Sequence, residues 1–230
     1  MTGAGGYVDD LVLDDCGAAY ALRSPIAHGR FAPPDLSAAR GAPGVRAVYA
    51  WADVADRLAP LACRMPIEGR GGAPLKPVLQ PHLADGKVRH VGQPIAFVVA
   101  DTLDQARDAA ELIEIDYEED AAVVDGGAAL AEGAPILHDA APGNLAYDWD
   151  VGDEAATAAA FAAAAHVVRA EVVNQRVVVA PMEPRGLVIR FDADTGRWEG
   201  WVGSQGAHAM RGGIAAALKV EPARLRIHAP

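Results

Sequence analysis

Residues 87–119 read KVRHVGQPIAFVVADTLDQARDAAELIEIDYEE, and the changes of period within them decide the fold. After the turn signal Gly92-Gln93-Pro94, residues 95–100 form a short, unbroken, β-branched apolar run, the pattern of a strand buried on both faces. Thr102 and Gln105 then form an S/T-x-x-E/Q capping box, in which each side chain answers the other residue's unpaired backbone N–H at a helix start. The helix is expected to begin at Leu103, with Leu103, Ala106, Ala110 and Ile113 on its apolar face and Asp104, Arg107, Asp108 and Glu111 opposite. From Ile113 the period falls to two. Ile113, Ile115 and Tyr117 alternate with Glu114, Asp116 and Glu118, which marks a strand with one wet face.

Upstream, residues 7–13 and 18–24 read as two strands joined by the turn Asp14-Asp15-Cys16-Gly17, a hairpin. A short helix is expected over 36–42 with Asp35 as its N-cap, a strand over 45–50, and one or two helical turns over 51–58. Residues 59–86 carry five prolines and a Gly-Arg-Gly-Gly run, so no regular structure is assigned there. A loop of that length in a compact domain covers a surface or meets a partner. Downstream, Asp153 caps an alanine-rich helix over 154–164, residues 166–180 have strand character, and 187–191 and 197–202 form a hairpin through an Asp/Gly turn. Ser204 or Gly206 opens a helix running to Leu218. Gly212 and Gly213 inside it imply that something packs close. Residues 225–228 alternate as a last strand, which is expected to leave an open edge and to make the isolated chain marginal in stability.

The chain has 230 residues, 51% of them apolar and 22% charged, enough for two modest cores. Its net charge is −11, and no basic run tracks a phosphate backbone, so nucleic acid is not expected as a partner. The start has no signal-peptide pattern and no segment is long and apolar enough to span a bilayer, so a cytoplasmic location is expected. Cys16 and Cys63 are the only cysteines, and their spacing fits no metal or redox motif.

Little self-contained chemistry is visible. Ser204 lacks the leading glycine of a G-x-S-x-G elbow. The histidines never fall at i, i+4, and no phosphate-cradling glycine loop follows a strand. The acidic series from Glu111 to Asp120 reads as a solvated face. Gln205 is placed differently: it follows a strand and precedes a glycine-opened helix, where α/β folds hold ligands. Its amide can donate to an oxygen, and the helix N-terminus adds unpaired N–H groups. The alternative is a glutamine that satisfies backbone at a turn.

An ordered set of motifs runs through the chain: Gly6-Tyr7-Val8-Asp9-Asp10, Arg23-Ser24-Pro25 with Ala27-His28, Val88-Arg89-His90-Val91-Gly92-Gln93-Pro94, the helix and strand from Gln105 to Tyr117, Pro181-Met182-Glu183-Pro184-Arg185, and Gly203-Ser204-Gln205-Gly206. Together they resemble the molybdenum-binding large subunit of the xanthine dehydrogenase, aldehyde oxidase and aerobic carbon monoxide dehydrogenase family, with the Met-Glu-Pro-Arg form closer to the carbon monoxide dehydrogenase-like members. The resemblance implies an α+β chain: an α/β hammerhead domain over 1–125, a linker over 126–139, and over 140–230 the incomplete beginning of a molybdopterin-binding α/β domain. It implies a molybdenum hydroxylase, with molybdenum-molybdopterin as cofactor and electrons leaving through FAD and 2Fe-2S centres on partner subunits. The family's glutamine that hydrogen-bonds an oxygen ligand of molybdenum matches Gln205, and Gly206 joins it as a cofactor-binding residue. Because a pterin dithiolene holds the metal in this family, no protein metal ligand and no catalytic residue is expected in this stretch. In relatives, the glycine-rich cofactor loop and the catalytic glutamate lie beyond the part matched. The expectation is therefore a fragment or split subunit that is inactive alone and joins the remaining part of the large subunit and the iron–sulfur and FAD subunits. Two other readings are a non-catalytic hammerhead module that docks iron–sulfur or flavin subunits through 59–86, and a degraded gene product.

Overall fold

The computed structural model describes residues 5–61, 63, 68–174 and 178–229. The strand read at the centre of the quoted stretch is β5, Pro94–Ala100, the middle of a three-stranded antiparallel sheet. Its neighbours are β1, Ala18–Arg23, and β3, Val45–Ala50. Helix α3, Leu103–Glu111, lies across one face and closes a core of Val48, Ala96, Val98, Ala106, Ala109 and Ala110. Alanine dominates because a helix packed this close to a sheet leaves no room for longer side chains. The capping box forms as read: Thr102 N donates to Gln105 Oε1 at 3.0 Å, and Gln105 N to Thr102 Oγ1 at 3.3 Å. Gly44, at φ +75°, makes the preceding turn. A Cβ there would sit 2.3 Å from the Gln105 amide, so the turn and the cap are packed together.

Two details of that reading are corrected. Leu103 is 40% exposed, and Ala109 takes the place assigned to it on the buried face. Strand β5 is covered on both faces only near its start: Ile95 is buried in a second core, whereas Phe97 on the same face is 39% exposed. The segment after α3 alternates as expected, with Ile113 buried and Glu114, Asp116 and Glu118 exposed. It pairs only over β6, Tyr117–Glu119.

Between β1 and α3 lie β2, Gly29–Phe31, the short helices α1, Ser37–Arg40, and α2, Trp51–Val54, and β4, Lys87–Val88. A second small sheet, ordered β4-β2-β6, packs Phe31, Ala84, Val88 and Ile95 into a separate core. The motif residues Ser24 and Gln93 fold this region. Ser24 Oγ accepts from Ile26 N at 3.1 Å, and Gln93, buried, accepts from Arg89 N through Oε1 at 2.8 Å. Such pairing satisfies polar groups that burial would otherwise leave costly.

The N-terminal hairpin does not exist. Val8–Asp10 is a 3-10 turn, closed by Tyr7 N donating to Asp10 Oδ2 at 2.8 Å, and β1 pairs with β5 instead. Asp10, inside the expected strand, closes the turn instead. Asp35 is one position early as a cap: Leu36 precedes α1, while Asp35 Oδ1 accepts from Ser37 N at 2.9 Å. The expected loop over 59–86 holds among the described residues, apart from a 3-10 turn at Arg70–Gly72 and a bridge between Leu61 and Gln80.

Residues 126–139 include α4, Gly126–Ala129. Asn144 gathers this stretch: its side chain donates to Ala129 O and Pro135 O and accepts from Leu137 N, at 2.8 to 3.0 Å. Helix α5, Glu154–Ala163, is capped by Asp153 as expected, and every one of its residues is exposed. The strand expected over 166–180 is not formed among its described residues, where Val168 is 90%, Val172 84% and Val178 93% exposed. Their β-branched pattern lacks a partner strand, and propensity without pairing makes no sheet. Residues 175–177 of that stretch, residues 1–4 of the start, residues 62 and 64–67 of the loop, and Pro230 lie outside the described residues.

The third sheet contains β7, Leu187–Asp192, β8, Arg197–Val202, and β9, Leu225–His228. Strands β7 and β8 form the expected hairpin, with Asp192 Oδ1 accepting from Asp194 N and Thr195 N. Helix α6, Ala207–Leu218, returns the chain so that β9 lies parallel to β8, with an open edge.

Candidate functional site

The site is built where β8 gives way to α6. Gly203 follows the strand, and a Cβ there would meet the Glu183 carboxylate at 3.2 Å. A side chain there would have to push the Glu183 carboxylate of the Pro-Met-Glu-Pro-Arg segment slightly aside. Glu183 also accepts from Val8 N at 3.3 Å, which brings the N-terminal turn to the same place. Ser204 Oγ accepts from Gly206 N at 3.1 Å and fixes the loop around Gln205.

Gln205 is exposed, and its amide makes no hydrogen bond to any described residue. The reading of a glutamine that satisfies backbone at a turn therefore fails, since Ser204 does that work. Gly206 is the N-cap of α6 and offers no side-chain cap, while its carbonyl accepts the first helical bond from Met210 N at 3.0 Å. The N–H groups of the first turn are left facing outward, with the positive end of the helix dipole behind them.

Both residues line a cleft of about 880 Å³. One wall is α6, through Ala209, Met210 and Gly213; the other is Pro60, Leu61 and His82 from the long loop. Ala59 N donates to Ala217 O at 2.8 Å and Lys219 Nζ to Asp56 O at 2.8 Å, which pins the start of that loop to the far end of α6. His82 Nε2–H donates to Ala59 O at 3.0 Å and braces the same wall. The long loop thus meets α6 of its own chain, a contact across more than a hundred residues that no local pattern announces.

The two glycines inside α6 correct an expectation. A Cβ at Gly212 or Gly213 would have nothing within 4 Å, so neither admits a close neighbour. Gly213 instead leaves the cleft wall low. Among the described residues lining the cleft none is acidic, and its polar groups are Ser204, Gln205, His82 and backbone. Among the described residues no group of three or more His, Cys, Asp or Glu is placed to hold a metal. Hydrogen-bond donors and small apolar walls suit an oxygen-rich ligand that brings its own metal ligands, and they do not suit a bare metal ion.

On the opposite side of the third sheet, Glu199 is ringed by Arg190, Arg226 and His228. The hydrogen bond from Arg190 holds its carboxyl below the usual glutamate range. The His228 ring stacks on Trp201 with centroids 5.0 Å apart. This cluster was not singled out from the sequence, where its members are scattered over three strands.

Known proteins share this chain's sequence pattern and fold. Residues 2–121 match the family described as aldehyde oxidase and xanthine dehydrogenase, a/b hammerhead domain, and residues 137–230 match the molybdopterin cofactor-binding domain. The large subunit of nicotine 6-hydroxylase from Paenarthrobacter nicotinovorans is 31% identical over the whole chain, and the carbon monoxide dehydrogenase large chain of Hydrogenophaga pseudoflava is 33% identical. The chain spans 27% and 29% of those proteins. Among solved structures, quinoline 2-oxidoreductase from Pseudomonas putida 86 superposes with a TM-score of 0.85 at 35% identity, over all of this chain and 28% of the other. The Cu,Mo-CO dehydrogenase superposes at 0.84 with 31% identity, over 99% of this chain and 29% of the other.

Proposed function

This chain belongs to the aldehyde oxidase and xanthine dehydrogenase family, its α/β hammerhead domain followed by a molybdopterin cofactor-binding domain, and from that premise we propose that it forms one wall of a molybdopterin cofactor pocket in a molybdenum hydroxylase. The observation that carries the reading is the unengaged amide of Gln205 at the rim of a non-acidic cleft, beside the uncapped start of α6. Gln205 Nε2–H would donate to an oxygen ligand of the metal. The backbone N–H groups following Gly206 favour the negative charge the cofactor carries. Pro60 and Leu61 on one wall and Met210 on the other would exclude water, and the low wall at Gly213 would leave room for the pterin. When bound, the cofactor supplies two-electron oxidation of a carbon centre.

The rest of the reading follows from the family. We divide the chain into a hammerhead domain over 1–125, a linker over 126–139 and part of the cofactor domain over 140–230. It works with the remaining part of a large subunit and with partner subunits that carry 2Fe-2S and FAD, in the cytoplasm, and it does not turn over alone. A purely docking role through the long loop has less support, because that loop's backbone is taken up by its own chain: Arg70 N donates to Asp148 O at 2.6 Å and Lys76 N to Ala146 O at 3.1 Å.

The test is to isolate the complex that the chain enters in a host making molybdopterin, and to measure molybdenum and pterin against protein. Near-stoichiometric metal and pterin are expected. A complex carrying neither, from a host that loads another molybdenum enzyme, contradicts the proposal.

A further inference from the structure

Between α5 and β7 the chain is uncovered: every described residue from 164 to 182 is exposed. Among the described residues, neither 165–174 nor 178–182 gives or accepts a backbone hydrogen bond. Yet residues 166–174, HVVRAEVVN, have the composition of a paired strand. In an extended chain successive side chains point to opposite faces, so Val168, Ala170 and Val172 share one face and Arg169 and Glu171 the other. Val168 and Val172 are almost fully exposed. A row of free N–H and C=O groups beside an uncovered apolar face is a template for an added strand. Helix α5, just before it, has ten residues, all exposed, with Phe161 among them. A helix that short is marginal in water unless something packs on it.

Two observations bear on what does the covering. The chain spans 27% and 29% of the nicotine 6-hydroxylase and carbon monoxide dehydrogenase large subunits, so most of the polypeptide of such a subunit lies outside the matched part. The uncovered stretch also runs up to the Gln205 cleft. Met182, exposed, precedes Glu183, and the Glu183 carboxylate lies beside the Gly203 turn that leads into Gln205. Polypeptide laid along this stretch as far as Met182 therefore reaches the rim of the cleft.

We infer that residues 167–173 are a docking strand, which pairs with a β-strand from the remaining part of the large subunit. The added strand sets apolar side chains beside Val168, Ala170 and Val172, while Arg169 and Glu171 stay in water. The pairing rests on the reading of this chain as part of such a subunit, and it fixes where the two parts join.

The test compares amide hydrogen exchange over 167–173 in the chain alone and in the complex it enters. The chain alone is expected to exchange like an unstructured peptide, and the complex at least about tenfold more slowly. Equal rates overturn the docking strand. So does protection in the chain alone, because its own residues or a second copy then fill the edge. A photocrosslinker, p-benzoylphenylalanine in place of Val172, identifies the neighbour. An adduct with the remaining part of the large subunit is expected; an adduct with the iron–sulfur or FAD subunit, with a second copy, or with nothing overturns the assignment. Successive N–H groups of a strand point to opposite edges, so one of Ala170→Pro and Glu171→Pro removes a donor facing the partner. That variant should cut recovery of the partner polypeptide at least about tenfold and leave the melt of the chain alone unchanged. Recovery unchanged by both variants, or a melt lowered by both, overturns the docking strand. Molybdenum and pterin content separates this result from the function proposed above. A complex free of both that still protects 167–173 counts against the cofactor pocket and not the strand, and a loaded complex with 167–173 unprotected does the reverse.

Discussion

Single side chains fall into two groups, those whose job can be read from their neighbours in sequence and those whose job exists only across the fold. Thr102 and Gln105 are of the first kind, since a capping box needs nothing but a spacing of three. Thr102→Ala should therefore cost about 1 kcal/mol of stability, read as a lower urea midpoint with an unchanged slope; an unaltered midpoint contradicts the role. The position of Gln205, though not its role, was legible for a similar reason, because β8 ends just before it and α6 opens at the glycine after it. Glu199 is of the second kind. Its carboxyl is held low by the Arg190 hydrogen bond, so the stability it contributes is present above the ordinary glutamate range and lost as the pH falls through its lowered value. Thermal melts should show wild type ahead of Glu199→Gln at pH 7, with the gap closing as the pH falls through the carboxylate range. A gap that is constant with pH means the ion pair is not its source.

At the scale of elements, pattern succeeded wherever a segment finds its partner nearby. Strands β3 and β8 start and stop where alternation does, and α3 begins at its cap. It failed where partnership is remote or missing. Residues 7–13 read as a strand, yet Val8–Asp10 is a turn in which Asp10 accepts from the Tyr7 amide. The valines from 167 to 179 have strand composition and no strand to join among the described residues. Helix α6 gives the most useful failure, since its glycines face open space where close packing was expected. Gly213→Leu should accordingly leave the fold intact, or raise its melting temperature, because leucine favours a helix over glycine by up to about 1 kcal/mol. The same substitution should lower molybdenum content in the assembled complex. If Gly213→Leu unfolds the chain, the cleft is not open there; if metal content is unchanged, the cleft is not the cofactor's.

At the scale of the whole molecule, the cleft depends on contacts of long sequence range. Glu183 receives the N-terminal turn, and Lys219 and Ala217 hold the 56–59 segment. These ties set the two cleft walls face to face, and none was visible in the sequence, because each joins a loop to an element more than a hundred residues away. Glu183→Ala should free the N-terminal turn, seen as faster proteolysis before β1 with little change elsewhere. An unchanged digestion pattern would show that Glu183 does not anchor it. The chain's span of less than a third of the nicotine 6-hydroxylase and carbon monoxide dehydrogenase large subunits makes the assembled complex the proper setting for the central claim, that the Gln205 amide meets the molybdenum centre. The most direct measurement is the molybdenum K-edge absorption spectrum of that complex, wild type against Gln205→Ala, at matched metal content. Loss of the hydrogen bond is predicted to shift the edge features of the metal–oxygen bond, and superimposable spectra would contradict the account.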